Sequence, residues 1–145
     1  MPEELKRKLL IHGTILFLLG LLNGVAVPFF INTRMGLSAH LAGVQNAIVL
    51  WILGFLCSYV KLSQKMLACF YWLSLYGLYG IWAALLLAAI WGTSRAMPIA
   101  GAGFSGSAWQ EAAVQVLISS GSTALIIATI IMLVGLIKKN LITDN

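Results

Sequence analysis

The sequence predicts an all-α integral membrane protein, a bundle of four transmembrane helices with both termini in the cytoplasm. Three observations carry this reading. Of the 145 residues, 61% are hydrophobic and only 9% are charged, whereas a soluble domain carries roughly 25% charged residues. The mean hydropathy of +0.97 agrees. Four apolar stretches each reach the roughly 20 residues that a helix needs to cross a hydrocarbon core about 30 Å thick. The basic residues gather at the ends of those stretches, not within them. The chain is therefore expected to be a single four-span domain over residues 1–145. Large soluble folds, disulfide-stapled secreted domains and nucleic-acid partners are excluded. The net charge of +5 bears on orientation in the bilayer and not on an anionic partner.

The first span is expected from about Ile11 to Phe30. It is too long for a signal peptide, and Pro28, Phe29 and Phe30 close it where a cleavage site would need small residues, so it is read as retained. The second runs from about Leu41 to Tyr59, the third from about Met66 to Gly92, and the fourth from about Ala112 to Ile137. None alternates polar with apolar residues, which sets aside porin strands. Lys6, Arg7 and Lys8 precede the first span, Lys61 and Lys65 join the second to the third, and Lys138 and Lys139 follow the fourth. The opposite side has only Arg34 and Arg95, which puts both termini in the cytoplasm. Cys57 and Cys69 then lie near a reducing compartment, match no metal motif, and read as small apolar fillers.

Small residues let helices approach closely in lipid. The first span has Gly20 and Gly24, the third Gly80, Ala84, Ala88 and Gly92 at every fourth position, and the fourth Ser119, Gly121, Ser122 and Thr123. Four spans of this length enclose little space, so a sizeable polar cavity is expected between subunits of a homo-oligomer. The loop from about Thr93 to Trp109 is rich in Gly, Ala and Ser, and it reads either as a cap over a site or as a plain connector.

Polar side chains within a span are expensive and so are candidate site residues. The shortlist is His12, Asn23, His40, Gln45, Asn46, Gln110 and Glu111. No Asp, Glu, Lys or Arg lies deep in a span, which argues against proton-coupled exporters, including the small four-span multidrug type. His40, at the outer end of span two with Gly43 and several alanines beside it, offers a nitrogen for iron and room for a flat macrocycle. The alternative is a histidine hydrogen-bonded at the interface. Asn46 lies six residues on, about 9 Å deeper and about 240° around the helix, so the two do not share a narrow face. It reads as a substrate contact or as an interhelical hydrogen bond. Glu111 is a first-turn carboxylate favoured by the helix dipole, or a proton donor under the loop. His12 is most simply interfacial. Among the aromatic residues of span three, Tyr79 lies deep enough to reach a cavity. Nucleotide loops, nucleophile elbows, paired carboxylates and cysteine clusters are absent.

The segment Asn32–Asn46 (NTRMGLSAHLAGVQN) resembles the signature segment of the bacterial hydroxylaminobenzene mutases. Ala88–Gly92 (AAIWG) and Met97–Gly103 (MPIAGAG) add to the likeness, which extends over roughly Lys6 to Ile137. More distantly, the basic run leading to His12-Gly13, and Ala39-His40 followed by Asn46, are similar to styrene oxide isomerase. That resemblance implies a trimer in which His40 ligates heme b, Gly43 leaves room for the ring and Asn46 contacts the substrate. The isomerase's third-span tyrosine falls at Leu85 here, and Tyr79 is the stand-in.

The resemblance further implies a multi-pass enzyme of the bacterial inner membrane. Its substrate would be a small aromatic N-hydroxylamine drawn from the lipid bilayer and rearranged to a 2-aminophenol without net redox change. Two other readings remain: an epoxide isomerase, or a non-enzymatic membrane scaffold or permeation subunit. Turnover of phenylhydroxylamine or of styrene oxide separates them.

Overall fold

The computed structural model describes residues 2–143, and side chains from Glu3 to Lys138. Met1, Asp144, Asn145 and the side chain of Lys139 lie outside the described residues. Four helices, α1 (Pro2–Ala26), α2 (Thr33–Leu56), α3 (Gln64–Trp91) and α4 (Ala108–Thr143), make up the fold. All four are long and apolar enough to cross a membrane, and no strand occurs among the described residues.

The helix ends follow local chemistry and differ from the apolar windows: α1 starts already at Pro2 and α4 runs from Ala108 to Thr143, both beyond their windows, and two further ends have an identifiable cause. α1 gives way at Ala26 to a 3-10 turn, Val27–Phe29, instead of continuing to Phe30. Pro28 in that turn lacks the N–H that an α-helix would use. α2 begins at Thr33, well before Leu41, because the Asn32 side chain caps it by accepting from Met35 N–H at 3.0 Å. His40 therefore sits two turns inside α2 and does not open it. Ser63 caps α3 in the same way. Gly92, at φ 69°, ends α3 in the left-handed conformation that a side chain disfavours.

α1 and α2 are antiparallel and meet backbone to backbone. A Cβ on Gly43 would lie 2.7 Å from the Gly20 Cα, and one on Gly20 would lie 2.9 Å from the Val44 nitrogen. α3 and α4 cross at a second glycine contact, where a Cβ on Gly77 would sit 2.9 Å from the Gly121 carbonyl oxygen. These approaches are the close packing on which helix association in lipid depends. Leu9, Leu16, Leu50, Phe70 and Leu78 fill the core in one half of the bundle, and Met35, Ala84, Ala88 and Val114 fill it in the other. α4 packs on α3 and on the Cys57–Tyr59 turn, and among the described residues its backbone comes within 8 Å (Cα to Cα) of neither α1 nor α2. The bundle is open: α1, α2 and α3 form a three-helix group, and α4 lies along the outer side of α3.

The α3–α4 loop is ordered by one carboxylate. Buried Glu111 accepts from the backbone N–H groups of Ser94 (3.0 Å), Arg95 (2.9 Å) and Gly106 (3.0 Å). Asn32 Nδ2 also donates to the Ala100 carbonyl, fastening the loop over the start of α2. Glu111 is thus a structural anchor whose oxygens are already engaged. Replacing it with Ala orphans three backbone donors, a loss of about 3 kcal/mol. Limited trypsin digestion should show this as cleavage at exposed Arg95 accelerated about tenfold or more.

Candidate functional site

His40 packs against α1, not against lipid alone. Its Nδ1 lies 2.8 Å from the Gly20 carbonyl oxygen. A carbonyl only accepts, so Nδ1 carries the proton and donates it, leaving Nε2 with a free lone pair. Nε2 has no hydrogen-bond partner among the described residues. Gly24 makes this placement possible, since a Cβ there would come within 2.6 Å of His40 Nδ1. The imidazole borders an open groove of about 530 Å³ whose other walls include Leu21, Val25, Val27, Pro28 and Leu37. Metal-bound histidines commonly donate their second ring N–H to a backbone carbonyl in this manner.

Gly43 does a different job from the one its position beside His40 suggests. Its missing side chain is the space taken by Gly20 on one side and by the Trp82 indole, 3.0 Å away, on the other. The room next to the imidazole comes from Gly24. The spacing of Gly20 and Gly24 was visible in the sequence as a packing pair, but nothing there connected it to His40.

Asn46 faces α3, where its Nδ2 donates to the Leu78 carbonyl at 2.8 Å. The interhelical hydrogen bond is therefore present, and Oδ1 and the second amide hydrogen are left for another partner. Tyr79 points to α1: its hydroxyl donates to the His12 carbonyl at 2.9 Å and lies 3.5 Å from His12 Nδ1. Within one chain, then, His40, Asn46 and Tyr79 are arranged along the bundle and do not converge. His12 precedes Gly20 by eight residues, so Tyr79 meets α1 about 12 Å along the helix from the His40 contact. The α3–α4 loop contributes no residue to the His40 groove.

Among the described residues no three His, Cys, Asp or Glu side chains come together as metal ligands. A metal at His40 would have to bring its remaining ligands with it. Cys57 and Cys69 are free thiols, one buried and one exposed.

A family profile described as styrene oxide isomerase matches residues 5–137. The chain belongs to the styrene oxide isomerase family. Among the relatives of this family member is the hydroxylaminobenzene mutase HabB of Ectopseudomonas oleovorans, 40% identical over 133 residues, which cover 91% of this chain and 81% of that protein. Hydroxylaminobenzene mutase HabA of the same organism is 38% identical over 127 residues, 87% of this chain and 94% of that one. No solved structure matches. With these relatives, this member of the styrene oxide isomerase family is an enzyme, an isomerase of the mutase type.

Proposed function

We propose that the enzyme rearranges an N-arylhydroxylamine such as hydroxylaminobenzene to a 2-aminophenol, and that His40 would hold a heme b. The mutase relatives support the reaction, and the His40 geometry carries the cofactor. One imidazole has its Nδ1–H fixed by a carbonyl, and the ring lines an apolar groove of about 530 Å³. A heme held there would supply Lewis-acid chemistry toward the hydroxylamine.

Atoms balance without an external oxidant or reductant. The N–O bond breaks heterolytically, hydroxide departs, and an electron-poor arylnitrenium fragment remains. Hydroxide returns to the ortho carbon, the ring C–H gives up its proton, and the nitrogen regains one. The protein's task is to hold the ring and keep bulk water from competing with the returning hydroxide. Leu21, Val25 and Leu37 supply an apolar wall for that purpose. Asn46, with Oδ1 uncommitted, orients the N–H or O–H of the substrate.

The same reading makes the active unit a homo-oligomer, a trimer by resemblance. The exposed face of α4 carries Gln115, Ser119 and Thr123 one turn apart, linked by a Gln115 Nε2 to Ser119 Oγ bond of 3.2 Å. An amide facing lipid is costly, and α4 has no partner on that side in its own chain. Gln115 and His40 are each seven residues from the outer end of their helix, so both lie about 10 Å in. Docking α4 of one copy onto the His40 groove of the next would cover both surfaces. Because the two surfaces differ, the contact is heterologous, and a three-fold rotation would close it into the trimer that the resemblance implies.

In this reading the enzyme sits in the bacterial inner membrane with cytoplasmic termini. Lys6 and Lys61 lie at one end of the bundle, where Lys61 N–H donates to the Gly135 carbonyl, and Arg34 and Arg95 lie at the other.

Membranes carrying the chain should convert phenylhydroxylamine to 2-aminophenol anaerobically, with no added reductant. In ¹⁸O-labelled water the phenolic oxygen should remain ¹⁶O. Label in the product would overturn the intramolecular step, and no turnover would overturn the substrate class. The family profile favours one second reading, epoxide isomerisation, which styrene oxide conversion to phenylacetaldehyde would reveal.

A further inference from the structure

A second recess lies on the α1–α3 seam, in the half of the bundle opposite His40. A cavity of about 470 Å³ there is lined by His12, Ile15, Trp72, Leu75, Tyr76 and Tyr79. A smaller one of about 230 Å³, with Lys8, Gln64 and Tyr71 among its walls, adjoins it. Trp72 lines both, so the two recesses share a wall, one at the charged end of the helices and the other nearer their middle. The mouth is polar and the interior is aromatic. His12 meets Tyr71 and Tyr79 edge-on, with ring centroids 6.1 and 5.9 Å apart. Trp72 and Tyr76 stand exposed at 67% and 49%. Tyr76 is held in place by its hydroxyl's 2.7 Å contact with Ser120 Oγ.

We infer that this groove is a binding site for a neutral amino- or hydroxylamino-substituted arene, received from the charged end of the bundle. The wall chemistry selects the occupant. Flat rings gain edge and face contacts from aromatic walls that a flexible acyl chain does not. The Lys8 ammonium, the cation that lines the mouth, is already paired with Glu4 at 2.7 Å. His12 offers the polar handle: the Tyr79 hydroxyl occupies the Nδ1 side, and Nε2 has no hydrogen-bond partner among the described residues. That nitrogen can exchange a hydrogen bond with the N–H or O–H of the arene. Naming a hydroxylamino-arene rests on the proposed reaction; the aromatic selectivity rests on the groove alone. His12 lies about 12 Å along α1 from Gly20, so the groove is a separate site from the one at His40.

The test uses the full chain in detergent with 3-azidoaniline, a photoreactive arene that lacks the N–O bond. Crosslinks are expected on peptides containing His12–Ile15 and Trp72–Tyr79, and excess 2-aminophenol should suppress them. Ile15→Trp fills the groove from an exposed position, and Trp72→Ala removes a wall; each should cut labelling about fivefold or more. Labelling that survives both substitutions, or that falls only at the His40 groove, would overturn the site. So would suppression by phosphatidylglycerol but not by 2-aminophenol, which would identify a lipid groove. The two proposals fail separately: suppressible labelling without turnover would sink the mutase substrate alone, and turnover without labelling would sink this groove alone.

Discussion

A His40→Ala chain should fold, purify without heme and lose rearrangement activity by at least about 100-fold. The side chain makes one hydrogen bond, from Nδ1 to the Gly20 carbonyl, so its removal costs the fold only about 1 kcal/mol. The ring that is lost is one wall of the groove. Absorption spectra of the detergent-purified protein, before and after dithionite, check the first half: the wild-type chain should show a stoichiometric Soret band that shifts on reduction, and the variant none. Added imidazole should restore part of both the band and the activity, because Gly24 and the groove leave a space shaped for the ring. Full turnover by His40→Ala would end the iron mechanism. A protonic route would then fall to His12, since three backbone N–H groups already occupy the Glu111 carboxylate.

Gly20→Val should have the largest effect on the fold itself. A Cβ at this position would stand 2.9 Å from the Val44 nitrogen and 3.0 Å from the Gly43 carbonyl carbon. Both are backbone atoms, and neither can yield without separating α1 from α2. The expected loss exceeds about 3 kcal/mol, equivalent to a fall of about 10 °C in the detergent melting temperature. Heme should be lost as well, because the carbonyl that fixes His40 belongs to Gly20. Gly80→Ala is the matching control. Its Cβ would meet only the flexible end of Leu117, at 3.5 Å, so the melting temperature should hold or rise slightly. An unchanged melt for Gly20→Val would mean that the α1–α2 contact is looser than the backbone distances require.

The two substitutions separate what the sequence reveals from what it conceals. Four spans are legible because hydrocarbon thickness sets a length, and only an apolar run of that length satisfies it. The sorting of Lys6, Lys61 and Arg95 to bundle ends is legible for a similar reason, since a charge in lipid is costly wherever the chain goes next. The segment around His40 and Asn46 is legible as a family signature. Even the divergence of those two side chains follows from helical periodicity, and it appears as His40 against α1 and Asn46 against α3.

Helix starts were less legible, because α2 begins where Asn32 caps it, two turns before the apolar run. Which nitrogen of His40 is free, that Gly24 and not Gly43 makes its room, and that Glu111 is spent on the loop were decided only by tertiary contact. So was the open placement of α4. Hydropathy and periodicity report what one helix needs from its solvent, residue by residue. The angle at which two such helices meet depends on which glycines face each other, and that pairing is set across chain separations that no local pattern encodes.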